Sequence, residues 1–396
     1  MASAARLRLV YFLYYANVGT FLPYFAAYLR GLGFTGEQIG TVQMVPSLLA
    51  PAAAMSWAAL ADRSGEPVRV LSAAATWAAL AVVFLPFART PLQVGLVVVA
   101  QALGERAVVP LVDAVTLEHS RLRPRDPYAR IRLFGSLGFI AFALLLGRLL
   151  TLRGNRPADV LVPGAVAAFV ISYALAVRRL RAAPAADLDR PGAREMLGLL
   201  QHRPLLLLLG ACAVHWAACA PFHLLFGVFI RDLGLPADVT GLGMAAGVFA
   251  EISVMMLFPR IEGRLPLPGL FAIAFLGSAA RWALLARAHD PVEIVLLQLM
   301  HGLTFGLFWA TTMKALALFV PPRLRATGQG LFTAVVFGAG NAAGYALSGV
   351  GYDRFRSAAP LYGWAAAVEL AVGVAALAAF RSGAARGAAS PADRLR

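Results

Sequence analysis

The chain has 396 residues, 60% of them hydrophobic and only 14% charged, with a formal net charge of +15. A mean hydropathy of +0.73 excludes an ordinary soluble domain, in which charged residues are about a quarter of the total. The positive charge sits at the ends of apolar runs, the pattern of a membrane protein whose basic loops stay on one side rather than of a nucleic-acid-binding surface.

Apolar runs of about 20 residues, each able to cross roughly 30 Å of hydrocarbon as a helix, recur along the whole length. Twelve spans are expected, beginning near residues 8, 37, 68, 92, 128, 158, 205, 238, 267, 291, 326 and 358, each at a Pro, a Gly or a charge cluster. Barrel alternation is missing and an open sheet would strand its backbone polar groups in lipid, so the fold class expected is an all-α membrane protein.

The first span follows Arg6 and Arg8 and carries Tyr11, Tyr14, Tyr15, Asn17 and Tyr24. It is too long and too aromatic for a secretory signal core and is read as a retained helix. Between the second and third spans lie Asp62, Arg63 and Arg69, charges suited to a latch made in one conformation and broken in another. The fourth span holds Glu105, Arg106 and Asp113; the last two are seven residues apart and would share a face of an unbroken helix. Arg132 stands near the start of the fifth span, with Phe139 deeper.

A polar stretch with Pro184, Asp187, Asp189, Arg190 and Pro191 separates six spans from six. The expected organisation is a first bundle over residues 1–180, a cytoplasmic linker over 181–203, a second bundle over 204–381 and a disordered cytoplasmic tail over 382–396, with no soluble domain appended. The halves repeat one another. Tyr28 to Gly40 and Phe229 to Gly241 read alike, with Arg30 and Arg231 offset by 201 residues. Parallel repeats in a membrane imply a two-bundle transporter with its site between the bundles.

In the second half, Cys212 and Cys219 on the seventh span are read as packing residues, not a disulfide. The same span carries His215, a polar group expected opposite the first span. Glu251 on the eighth, Arg281 on the ninth, His301 on the tenth and Glu369 on the twelfth complete the ionisable groups at depth. Such groups are costly in a bilayer and normally face a cavity or a partner. A carboxylate holds its proton more or less firmly as a cation leaves or approaches, so Glu251 with Arg281 and His301 suits loading a proton in one conformation and releasing it in another. Phe305, Phe308 and Trp309 add an aromatic wall, and Lys314, the sole lysine, is expected to snorkel at a helix end.

The loop running from Ala58 through Asp62, Arg63 and Gly65 to Arg69 resembles the signature of the major facilitator superfamily, with Ala58 where Gly is usual. The runs Tyr11-Phe-Leu-Tyr-Tyr15, Phe21-Leu-Pro-Tyr24, Pro110-Leu-Val-Asp113, Arg130-Ile-Arg132-Leu-Phe-Gly-Ser136, Ala250-Glu251, Arg281-Trp282 and Leu299-Met-His301 resemble the bacterial 3-phenylpropionic acid transporter group, a relative of lactose permease. The resemblance implies two pseudo-symmetric six-helix bundles. By similarity, Asp113 and Arg132 would hold the solute, while Glu251, Arg281 and His301 would couple binding to protonation; Tyr14, Asn17, Phe139 and His215 join the solute side as the aromatic and polar residues of their own spans. Thr304 stands where the family's permease has an acid, Gln298 where it has a lysine, Phe139 where it has the sugar-stacking Trp and Val254 where it has an Asn. These departures favour a less hydroxylated, aromatic solute over a galactoside and leave Glu251 as the proton acceptor.

The function expected is proton-coupled symport of a small organic solute, with a sugar or nucleoside symporter and then a proton-driven efflux pump as alternatives. A polytopic enzyme is disfavoured by the absence of His-Glu-x-x-His, Gly-x-Ser-x-Gly and P-loop motifs. No metal or cofactor is expected beyond the proton gradient. The expected partners are a small-molecule substrate, protons and the lipid bilayer, without nucleic acid. The chain is expected as a monomer in the bacterial inner membrane with both termini cytoplasmic.

Overall fold

A computed structural model describes residues 3–180 and 198–387; Arg181, the Pro184 to Pro191 part of the expected linker, and the tail from residue 388 lie outside the described residues. The described chain is helical, in twelve spans: α1 (Ala4–Gly31), α2 (Gly36–Ser64), α3 (Pro67–Phe87), α4 (Pro91–Leu122), α5 (Tyr128–Leu152), α6 (Leu161–Val177), α7 (Arg203–Asp232), α8 (Ala237–Ile261), α9 (Leu267–Leu285), α10 (Pro291–Phe319), α11 (Thr327–Phe355) and α12 (Ala359–Gly387). The last continues through residues 382–387, which the sequence reading gave to the tail. Nine of the twelve are long and apolar enough to cross a membrane by length and composition; α6 and α12 have shorter apolar stretches, and α1 is more polar.

Local chemistry explains the starts. Thr35 with Gln38 and Thr90 with Gln93 form capping boxes at α2 and α4, and Asp290 accepts the N–H groups of Val292 and Glu293 at α10. Pro91 and Pro291 occupy first-turn positions where no N–H is needed.

The repeat is visible in the backbone. α1 and α7 each contain a buried proline, Pro23 and Pro221, and each ends at a glycine with positive φ, Gly33 at 89° and Gly234 at 71°. In both turns the residue after the glycine reaches back to a carbonyl, Phe34 to Leu29 at 3.2 Å and Leu235 to Ile230 at 3.1 Å. A side chain at either glycine would be strained in this left-handed conformation.

Within the first half α1 packs on α5 and α6, and α3 on α4 and α6; within the second, α9 packs on α12, α7 on α11 and α12, and α8 on α10. Between halves, α2 packs on α11, α5 on α8 and α1 on α7. These crossings are tight where glycine replaces a side chain: Gly36 meets Gly349, Gly227 meets the Pro23 carbonyl, and Gly241 meets the Ala143 carbonyl.

The end of the molecule away from the N-terminus is tied across the halves. Asp353 of α11 accepts the N–H of Gly36 at 2.7 Å and of Glu37 at 2.8 Å, so it docks on the N-terminus of α2. Reciprocally, Asn155 accepts the N–H of Ala237 and Thr151 that of Asp238, both at 3.0 Å, at the N-terminus of α8. Arg231 donates to the Ala27 carbonyl at 3.1 Å and Arg148 pairs with Asp238 at 3.6 Å. At the N-terminal end, by contrast, Arg8–Asp126, His119–Asp126 and Lys314–Glu262 each lie within one half.

Candidate functional site

Glycines bring α1 against α5. Gly19 lies on the Phe139 carbonyl and Gly138 on the Phe12 carbonyl, which leaves Phe139 buried and sets the tyrosines of α1 beside Arg132. The Arg132 guanidinium donates to the Tyr15 hydroxyl and stands 4.2 Å from the Tyr15 ring centre and 5.4 Å from that of Tyr11. Tyr11 in turn donates its hydroxyl to Asp113. Tyr14 packs on Tyr15 and Tyr173. The buried Asn17 donates to Glu105 at 2.9 Å, and Gln101 donates to the other Glu105 oxygen at 3.0 Å.

α4 is not one continuous helix: it breaks between Glu105 and Val108. Pro110 explains the break, because it donates no N–H and its ring clashes with the carbonyl four residues earlier, that of Arg106. The break falls between Arg106 and Asp113, so the two do not stand on one unbroken helix as expected. Arg106 is exposed at the break while Asp113 is partly buried against Tyr11. Arg132 lies one turn into α5, near its start, and still joins the site because α1 brings the tyrosines to it.

In the second half Arg281 has no exposure. Its guanidinium is held between the rings of Phe222 at 4.4 Å and Trp282 at 4.3 Å. It donates to Gln298 Oε1 at 2.6 Å and meets His301 Nδ1 at 3.1 Å. Arginine can only donate, so Nδ1 accepts, and a neutral His301 carries its proton on Nε2. That Nε2 faces Glu251 Oε2 at 3.8 Å. Glu251 and His301 keep 22% and 14% of their side-chain surface exposed. From the other half, Arg132 is close enough to act electrostatically on Glu251. His301, Phe305 and Trp309 stack ring over ring along α10.

The remaining residues singled out in the sequence lie apart. Asp62 and Arg63 are exposed at the end of α2, and Arg69 pairs with Glu66 at 2.6 Å. Lys314 pairs with Glu262 at 3.0 Å. His215 does not line the gap: it is fully buried, with Nδ1 2.7 Å from Glu369 Oε1 and Nε2 3.1 Å from the Thr304 carbonyl. Cys219 lies 3.8 Å from the same ring. His215, Cys219 and Glu369 are the one group of metal-ligand type found close together among the described residues, and a metal there would have to displace contacts that both ring nitrogens already make. Sequence reasoning noted Gln298 only as a departure and gave Glu369 no role. The signal for both was a polar side chain deep in an apolar run.

The family model described as the MFS_1 like family matches residues 4–362. A maltose permease of Geobacillus stearothermophilus is 32% identical over 348 residues, covering 84% of this chain and 83% of the permease. A protein of Escherichia coli named "Probable 3-phenylpropionic acid transporter" is 24% identical, covering 80% of this chain and 83% of that protein. The crystal structure of the nucleoside transporter NupG has the same fold, with a TM-score of 0.83 at 18% identity over 96% of this chain and 99% of that one. The family-model match over residues 4–362 and the 32% identity to a permease make this chain a member of the MFS_1 like family and a membrane transporter of the major facilitator kind, with twelve spans in two pseudo-symmetric bundles among the described residues.

Proposed function

We propose that the protein is a proton-coupled symporter that moves a small organic solute by alternating access, with an aromatic or other carboxylic acid such as 3-phenylpropionate as its substrate. The observation that carries this reading is the arrangement between the halves: Arg132, braced by tyrosines, is close enough to act on Glu251, which meets His301 at 3.8 Å, and His301 in turn accepts from Arg281. Protonation of Glu251 would remove the negative charge opposite Arg132 and free its guanidinium to bind a solute carboxylate in a bidentate pair. Asp113, Tyr14, Asn17 and Phe139 would shape the solute side. Release of the proton would restore the attraction between Glu251 and Arg132 and expel the anion.

Asp62, Arg63 and Arg69 would form the latch when the N-terminal end closes; their exposure suits a conformation in which the opposite end is the one tied shut. We place the protein in the bacterial inner membrane as a monomer with cytoplasmic termini, so this conformation would open inward. A second reading, a sugar symporter, is favoured by the 32% identity to maltose permease.

Uptake of labelled 3-phenylpropionate and of maltose into proteoliposomes, with and without an imposed inward proton gradient, tests the proposal. Gradient-dependent uptake of the acid that disappears in Glu251→Gln is the expected result. Maltose uptake alone keeps the symporter and replaces the substrate, whereas gradient-independent uptake removes the coupling.

A further inference from the structure

The second half holds a buried pair that the coupling cluster does not use. His215 on α7 and Glu369 on α12 have no exposed side-chain surface and lie 2.7 Å apart. The Thr304 carbonyl can only accept, so His215 Nε2 carries a proton and donates it there at 3.1 Å. On its other side the ring is held by the Glu369 carboxylate, whose Oε1 meets Nδ1 at 2.7 Å. The ring is fixed further by Phe308, with centroids 4.0 Å apart, and by Phe275 at 5.3 Å.

What His215 grips is unusual backbone. Residues Gly302–Leu307 of α10 form a π segment, a turn with one residue more than an α-helix allows. Such insertions cost helix geometry and collect at functional positions. The segment begins directly after His301. Its opposite face lies on α8 at the coupling residue itself: Gly302 meets the Ala250 carbonyl, and Gly306 meets the Glu251 backbone, where an added methyl would stand 3.1 Å from the Glu251 carbonyl oxygen. The widened turn is therefore clamped between His215 on one side and the backbone of Glu251 on the other.

We propose that Glu369 and His215 act as a positioning dyad: by holding the Thr304 carbonyl they keep the π segment of α10 in place, and so set the approach of His301 to Glu251. This rests on the reading that Glu251 loads the proton, but the positional part stands on backbone geometry alone. The dyad does not touch the solute. It fixes the register of the helix that carries His301.

The test compares His215→Ala with Glu369→Gln, whose amide can still hydrogen-bond the imidazole, in full-length protein in lipid nanodiscs and proteoliposomes. Electron cryomicroscopy of His215→Ala is expected to show residues 302–307 of α10 relaxed toward a regular helix and His301 withdrawn from Glu251, with Glu369→Gln close to the parent. In transport, gradient-driven uptake of 3-phenylpropionate, with maltose run beside it, is expected to fall about tenfold in His215→Ala while exchange of labelled for unlabelled solute, which needs no net proton movement, stays within about twofold. A His215→Ala structure with the π segment and the His301 position unchanged overturns the proposal. So does an equal loss of uptake and exchange with the His301 position kept. Absence of uptake in the parent protein counts against the functional reading only, and the structural comparison then decides the dyad by itself.

Discussion

Arg281 is the residue on which the proposed coupling cluster turns. It is fully buried between two aromatic faces, and its guanidinium serves Gln298 and His301 at once. Lysine carries the same charge but has neither the flat face nor the fork that meets two acceptors. Arg281→Lys is expected to lower gradient-driven uptake at least about tenfold, since the lost interactions are charge-assisted and desolvated; uptake near the parent level would show that charge alone suffices. The four charged residues of the candidate site, Asp113, Arg132, Glu251 and Arg281, stand out in the sequence because ionisable groups in apolar runs are conspicuous. The pairing of His215 with Glu369 does not, because no local pattern links two residues on helices that meet only in the folded chain.

A second residue tests the loop that closes the distal end. Burial works against the charge of Asp159, but hydrogen bonds from Arg153 at 2.7 Å and from the Leu161 N–H at 2.9 Å hold its carboxyl below the ordinary carboxylate range. A group depressed in this way stabilises the fold above its unfolded pKa, and that contribution fades as pH falls through the folded value. Hydrogen exchange of the loop between α5 and α6 should therefore quicken on acidification below the ordinary carboxylate range. In Asp159→Asn it should be fast already at neutral pH; the same protection in both proteins would mean that the ion pair does not secure the loop.

At the scale of elements, the sequence placed helix starts well, since Pro and capping residues act locally. Thr35, Thr90 and Asp290 each do in the structure what such residues do at helix starts. The internal irregularities were less legible. Pro110 was in view and the break at Arg106 was not drawn from it, whereas the π segments of α10 and α11 leave no mark in hydropathy. Pro110→Ala is expected to restore the hydrogen bond to the Arg106 carbonyl and rejoin the two parts of α4. Straightening would move Asp113 relative to Tyr11, and KM is expected to rise several-fold with a smaller change in kcat. An unchanged KM would separate the break from the binding geometry.

Over the whole molecule, the 201-residue repeat was legible because its turns need the same glycine. Which end is closed was not, because the closure uses reciprocal contacts between halves. Asp353 docks on α2 from the second half, and Thr151 and Asn155 dock on α8 from the first. Removing a helix-cap acceptor costs about 0.5–2 kcal/mol, enough to shift a two-state equilibrium by roughly two- to thirtyfold. Asp353→Ala is expected to populate a form open at this end, seen as a longer distance between spin labels on the distal ends of α2 and α11. An unchanged distance distribution would locate the closure energy in the glycine crossings instead.

The most direct measurement of the central claim is the proton movement itself. Solute is added to lightly buffered, de-energised proteoliposomes and the external pH is followed. Transient alkalinisation on adding 3-phenylpropionate, or maltose if that is the solute taken up, with no such signal in Glu251→Gln, is the predicted result. Solute entry without a pH change, or a Glu251→Gln variant that still moves protons with solute, would contradict it.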